Sequence, residues 1–427
     1  MHEAIPWRTR VVIYCPGLLG EPDRPIYPLS RFNELDLADS AVHSEYDLST
    51  IWAHLMRHAP IHRMSSDGSA YWVLSRHRDV LNMLRDSVTF TSERGNVIDN
   101  LLAGGDSAGG RMLVLSDARR HRELGSVIRG AFTPKWLAAI VRDVERNARD
   151  LVASAVDRGT CDFATDVAAS IPQCAIGDMM GIPHTDRAEL MRLTSSALSA
   201  QGAPLTREAA WIAKNEVLAY FADLAAERRR RPADHDLLSL LVTADFGGQL
   251  MPLEEVILNS YTFLLAGEET TRLAMTGGVR ALAQDPNLWA SLRRGELNMR
   301  RVVEELLRWT TPALHVARTA TIDSMIYDQT IARGDIVTAW MAAANRDPEV
   351  FAEPTGLDMT RDPNPHLSFG YGPHFCLGSY LARAELTAVL IAMCEAVSAI
   401  ELAGSGQRLY SNFLSGYFRL PVHMVAA

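Results

Sequence analysis

The chain has 427 residues, is 48% hydrophobic and carries a net charge of −9. That is ample for a large buried core, and the mild acidity argues against a nucleic-acid surface. The five cysteines (Cys15, Cys161, Cys174, Cys376, Cys394) are few and irregularly spaced, so they give no sign of a disulfide framework or a zinc site and fit a reducing cytoplasm.

The longest apolar stretch near the start covers residues 11–19 and contains Pro16. It is at the minimum length and lacks a small-residue cleavage pattern, so no signal peptide is expected. No segment approaches the roughly 20 apolar residues a bilayer span requires, so no membrane association is expected. Residues 70–75 read as a strand and 78–85 as a short helix. Residues 93–112 are rich in Gly, Ser, Asp and Asn and read as a long loop, uncommon unless functional. Helical periodicity dominates 117–245, with breaks near Pro134, Pro183 and Pro204. The cationic run 228–231 reads as the solvated end of a helix. Residues 253–284 carry one helical pattern, 32 residues long, or about 48 Å. Its middle, 261–266, is apolar on every side, which marks a core helix. A helix over 298–310, strands at 315–319 and 336–340, and an irregular stretch over 346–368 follow.

Next comes Phe369-Gly-Tyr-Gly-Pro-His-Phe-Cys-Leu-Gly378. A lone cysteine is ordinarily a small buried hydrophobe. Cys376, however, is flanked by Gly370, Gly372 and Gly378, with Pro373 stiffening the bend. Glycines let backbone approach something bulky and permit dihedrals that other residues resist. Residues 377–393 read as a helix, so Cys376 is expected at a helix N-terminus, where a thiolate is favoured. A thiolate on a rigid loop is what an axial haem ligand requires. Within the long helix, Ala266-Gly-Glu-Glu-Thr-Thr271 places two acids and two hydroxyls in apolar surroundings. Such groups are costly there unless they face a polar crevice or serve a function. Glu305 and Arg308 stand at i and i+3, a spacing most often found in exposed pairs.

Together these residues resemble the cytochrome P450 signature, met at Phe369, Gly372, Cys376 and Gly378, with family-like segments from about 117 to 421. The resemblance implies one catalytic unit over 1–427, mostly α with small β-sheets, holding haem b between the long central helix and the cysteine loop. Cys376 would ligate the iron, with Phe369, Gly370, Gly378, Ala266 and Gly267 around the haem. Gly267 would let ligand and substrate approach the helix, Thr270 would hydrogen-bond dioxygen, and Glu269 would link it to solvent protons. His121, Arg318, His366 and His374 align with positions that contact the propionates. Glu305 and Arg308 match a buried pair that braces the cysteine loop through the segment near 354–362.

Two positions depart from the family pattern. Gly125 stands where an Arg often lies one turn after His121, and neither Arg122 nor Arg129 falls on that face. Leu357 replaces an aromatic. The resemblance also puts a substrate pocket beside Val97, Ile98, Leu102, Ala313, Val316 and Leu414, positions with few charges, which suits an apolar or aromatic substrate. Residues 270–272 and 308–315 are similar to bacterial members that tailor natural products.

The implied activity is a monomeric, cytoplasmic monooxygenase hydroxylating a small organic molecule, with electrons from NAD(P)H through a separate ferredoxin and ferredoxin reductase. Alternatives are oxidation of a carrier-protein-tethered acyl or aminoacyl group, coupling, epoxidation or desaturation, direct use of peroxide, and a non-catalytic haem sensor.

Overall fold

The computed structural model describes residues 24–198, 202–246 and 248–427. The apolar stretch 11–19, Cys15 and Gln201 lie outside these. Helices dominate. The long helix runs over Leu253–Gln284, the expected bounds, with buried residues on every face from Val256 to Leu282. It packs against Ser170–Met180, Arg207–Arg230, Met299–Thr310 and Ser379–Ala396. A helix apolar all round needs such cover, and this one forms the axis of the largest core cluster.

Local chemistry sets the helix starts. The Thr133 side chain accepts a hydrogen bond from Trp136 N at 3.3 Å, and Pro134 takes the first helical position of Pro134–Arg158, where its missing N–H costs nothing. Asn298 caps Met299–Thr310 by accepting from Arg301 N at 3.2 Å. Among the described residues no helix is long and apolar enough to cross a membrane.

The main sheet has five strands in the order Ile61–Ser66, Ser69–Leu74, Ile336–Trp340, His315–Ala320 and Phe90–Thr91. Its one parallel pair joins Ser69–Leu74 to Ile336–Trp340. A second sheet pairs Pro421–Ala426 with both Thr160–Asp162 and Val397–Leu402.

Several expectations are corrected. The stretch 93–112 contains the short helix Ile98–Leu102. The strand Thr160–Asp162 and a π-helical turn at Ala164–Ala168 interrupt the helical stretch. The run 228–231 is tied down in part: Arg228 pairs with Asp236 at 3.0 Å and donates to Gly181 O, and Arg229 donates to Met251 O at 2.6 Å.

Candidate active site

The cysteine loop is closed by Cys376 N donating to Phe369 O at 2.9 Å and by Phe375 N donating to Gly372 O at 3.1 Å. Gly372 has φ +73°, and a Cβ there would lie 2.7 Å from Leu84 O and 3.0 Å from Arg85 Cα. Only glycine fits this close approach to the end of helix His77–Arg85.

The cysteine helix starts at Ser379, two residues later than expected, with Gly378 as N-cap. Cys376 is solvent-accessible, yet enough protein surrounds it that burial pushes its thiol above the ordinary value. The Gly378 N–H, the Arg383 charge and the Ser379 N–H pull the other way without prevailing. The expected thiolate is therefore not favoured by the protein alone. A coordinated metal would displace the proton.

Glu305 and Arg308 are fully buried and joined twice, Nη2–Oε1 at 2.7 Å and Nε–Oε2 at 2.8 Å. Arg308 also donates to the carbonyls of Asn345, Pro354 and Gly356. Glu305 accepts from Asp358 N, Arg361 and Asn364. Asn345 continues the network by donating to Ser368 Oγ and accepting from Leu367 N, which reaches the residue before Phe369. The Phe351 ring lies under both Arg308 and Arg361, an aromatic contact close to the departure at Leu357.

Sequence reasoning missed the neighbour, Glu304. It binds Arg383 of the cysteine helix through two bonds and His366 at 3.0 Å, and the Arg383 guanidinium sits 4.4 Å from the Phe369 ring centroid. Burial pushes Glu304 up, but the hydrogen bonds from His366 and Arg383 outweigh it and hold the carboxyl down at about 2. His366 Nδ1 accepts from Ser368 N. Both ring nitrogens of His366 are thus taken, so it belongs to the brace and not to the expected propionate contacts.

The other three candidate cations gather elsewhere. The rings of His121 and His374 lie 4.5 Å apart. His374 Nε2 meets Asp117 at 2.9 Å. Asp117 also accepts from Thr91 Oγ1, Ser92 N and Ser92 Oγ. Burial raises that carboxyl, but these bonds hold it down at about 2. Burial, then the His374 and Arg129 charges, lower His121 to about 4. Arg318 is buried and lowered by that burial to about 10. Its described hydrogen bond is to Ala317 O, and it has no ion pair among the described residues. A buried guanidinium without an acid is costly unless an anion arrives.

On the central helix Thr270 Oγ1 donates to Ala266 O at 2.9 Å. Glu269 is buried, bonded to Arg272 at 2.5 and 3.1 Å, and accepts from Ser195 Oγ. Glu268 is buried beside it with Oε2 unpartnered among the described residues. Burial, then the Glu269 charge, push Glu268 up to about 8. A Cβ on Gly267 would lie 3.0 Å from Ile176. The missing side chain thus serves packing against Ser170–Met180, whereas the expectation was an approach for ligands.

A cavity of about 1140 Å³ is lined by Ala266, Glu269 and Thr270 together with Met112, Leu115 and Tyr261. The lining segment 112–115 is followed in the chain by Asp117 and His121. Of the six expected pocket residues, Val97, Leu102 and Leu414 line it. Ile98 is instead fully buried in a core cluster with Trp340, Ala313 forms a bridge to Leu414, and Val316 packs against the core cluster that contains Leu74 and Val337. Charges are more frequent than expected, since Asp99, Asp106, Arg207 and Lys214 also line the cavity.

An accessible thiol on a glycine-shaped loop, beside an unpaired buried guanidinium and two histidines, fits a planar iron-bearing group with anionic arms. Residues 297–399 match the family model described as Cytochrome P450. Cytochrome P450 NovI of Streptomyces niveus is 39% identical over 403 residues, covering 94% of this chain and 99% of that one. The crystal structure of P450 OxyD, involved in the biosynthesis of vancomycin-type antibiotics, superposes with a TM-score of 0.83 at 34% identity, over 92% of this chain and 100% of that one. P450BioI, in complex with an acyl carrier protein ligated to hexadec-9Z-enoic acid, superposes at 0.77 with 28% identity, over 88% and 98%. The cysteine loop, its brace and this full-length similarity lead to one conclusion: the chain belongs to the cytochrome P450 family of haem-binding monooxygenases.

Proposed function

We propose that the protein hydroxylates a small organic molecule of bacterial secondary metabolism, with electrons from NAD(P)H delivered by a separate ferredoxin and ferredoxin reductase. The observations that carry this reading are the accessible Cys376 on its braced, glycine-shaped loop and a large cavity that Ala266, Glu269 and Thr270 line. Cys376 would ligate the haem iron, His121, Arg318 and His374 would neutralise the propionates, and Phe369, Gly370, Gly378, Ala266 and Gly267 would surround the ring. The haem, when bound, supplies the activation of dioxygen.

The chain's own part is to position substrate and deliver protons. Val97, Leu102, Leu115 and Leu414 offer apolar walls for the reacting end of the substrate. Thr270 Oγ1 holds a proton on the cavity side, and the Ser195 hydroxyl donating to Glu269 Oε1 provides a route toward it. The dithionite-reduced protein under carbon monoxide should show the red-shifted Soret band of thiolate ligation, lost in Cys376→Ser. A band of the histidine-ligated type would overturn the assignment.

A second reading, an acyl or aminoacyl group tethered to a carrier protein, draws on the charged residues of the cavity wall and on the carrier complex of P450BioI. Spin-shift titrations with free acids and aromatics, against the same groups on a carrier protein, separate the two. Shifts with the tethered panel alone support the second reading, and shifts with free ligands alone remove it.

A further inference from the structure

Helix Ala118–Ile128 carries His121 and, one turn on, Gly125. Gly125 is buried, and the space where its side chain would begin is already filled. A Cβ at 125 would lie 2.7 Å from Arg129 Nη2, 3.1 Å from Cζ and 3.3 Å from Nε. Arg129 Nε donates to Gly125 O at 3.0 Å, which holds the guanidinium over the glycine. Helical side chains lean toward the N-terminus, so a residue one turn later covers this spot although its Cα does not.

The expectation that Arg129 misses the His121 face is therefore corrected. Its charge contributes to the lowering of His121, after burial and His374. It has no ion pair among the described residues, and it is exposed. The carbonyl bond alone would make Arg129 an ordinary helix C-cap. A cap, however, gives no reason for the residue below it to lack a side chain.

We propose that Arg129 binds a haem propionate from this position, and that Gly125 is required because any larger residue would push the guanidinium away. The inference rests on the reading of His121, His374 and Arg318 as the propionate-binding wall. The arginine absent at 125 is supplied by a residue four positions later, folded back by one turn.

The test is haem transfer from the ferric holoprotein to excess apomyoglobin. Arg129→Ala is expected to lose haem about tenfold faster, the scale of one charge-assisted hydrogen bond. Gly125→Leu should accelerate loss similarly, and Arg129→Ala with Gly125→Arg should recover to near the parent rate. Reconstitution with haem dimethyl ester should erase the difference between parent and Arg129→Ala, because no anion remains to bind. Loss from Arg129→Ala within twofold of the parent, while His121→Ala accelerates it, would overturn the Arg129 assignment alone. Unchanged loss in both variants would overturn the propionate wall and this proposal with it. A lowered melting temperature of the apoprotein without faster haem loss would make Arg129 a cap and overturn the proposal.

Discussion

Glu269 and Arg272 form a buried ion pair one turn apart on the central helix, Oε2 to Nη2 at 2.5 Å, with both side chains almost fully enclosed. The acid read as a proton relay is thus also a structural partner. Arg272→Met or Glu269→Gln alone should each cost about 3–5 kcal/mol, because each leaves a buried charge unpaired. The double variant should regain much of that stability. If Glu269 also relays protons, its coupling of oxygen use to product stays low. Thermal unfolding and the ratio of product to consumed NAD(P)H read the two effects separately.

Glu268 makes stability depend on pH. Its carboxyl sits at about 8 in the fold, against an ordinary 4.5, because burial and then Glu269 disfavour its charge. Between those values the unfolded chain has released a proton that the folded chain keeps, so stability falls as pH rises through this window. The loss at pH 8 is at most about 5 kcal/mol. Glu268→Gln should raise the melting temperature at pH 8 and little at pH 4.5. An equal change at both pH values would contradict this account.

The pair Glu305 and Arg308 should act through haem retention. Arg308→Ala removes donors from three carbonyls and leaves the fully buried Glu305 carboxylate with Arg361 as its cation, a cost of about 3 kcal/mol. The purified variant is expected to be largely apoprotein, measured as the haem-to-protein absorbance ratio. Arg383→Ala, whose Glu304 bridge is partly exposed, should lose less.

Two glycine substitutions separate packing from ligand approach. Gly372→Ala must move backbone at Leu84 and Arg85, so haem content and melting temperature should both drop. Gly267→Ala meets the Ile176 side chain at Cδ1 and Cγ1 alike, so its stability cost should be smaller in an Ile176→Ala background. A stability loss for Gly267→Ala that is equally large in the Ile176→Ala background would remove the packing explanation.

Much of the site was legible because its chemistry is local. The decapeptide ending at Gly378, the Ala266–Thr271 run and the Glu305/Arg308 spacing each lie within one element, so neighbouring residue types reveal them. The central helix was legible to its bounds because its apolar run is long and uninterrupted. Short strands such as Thr160–Asp162 were not, since three residues hold too little alternation to show a period of two.

The sequence by itself determined the glycine-flanked cysteine loop, the family and the helix that carries Glu269 and Thr270. Only the tertiary structure decided what those residues touch. It moved His366 from the propionates to Glu304, gave Glu269 an arginine, set Ile176 against Gly267 and folded Arg129 over Gly125. The physical reason is that a side chain's partner depends on which elements pack together. Such contacts join residues far apart in the chain, or turn on the direction a side chain leans, and neither is written in local spacing.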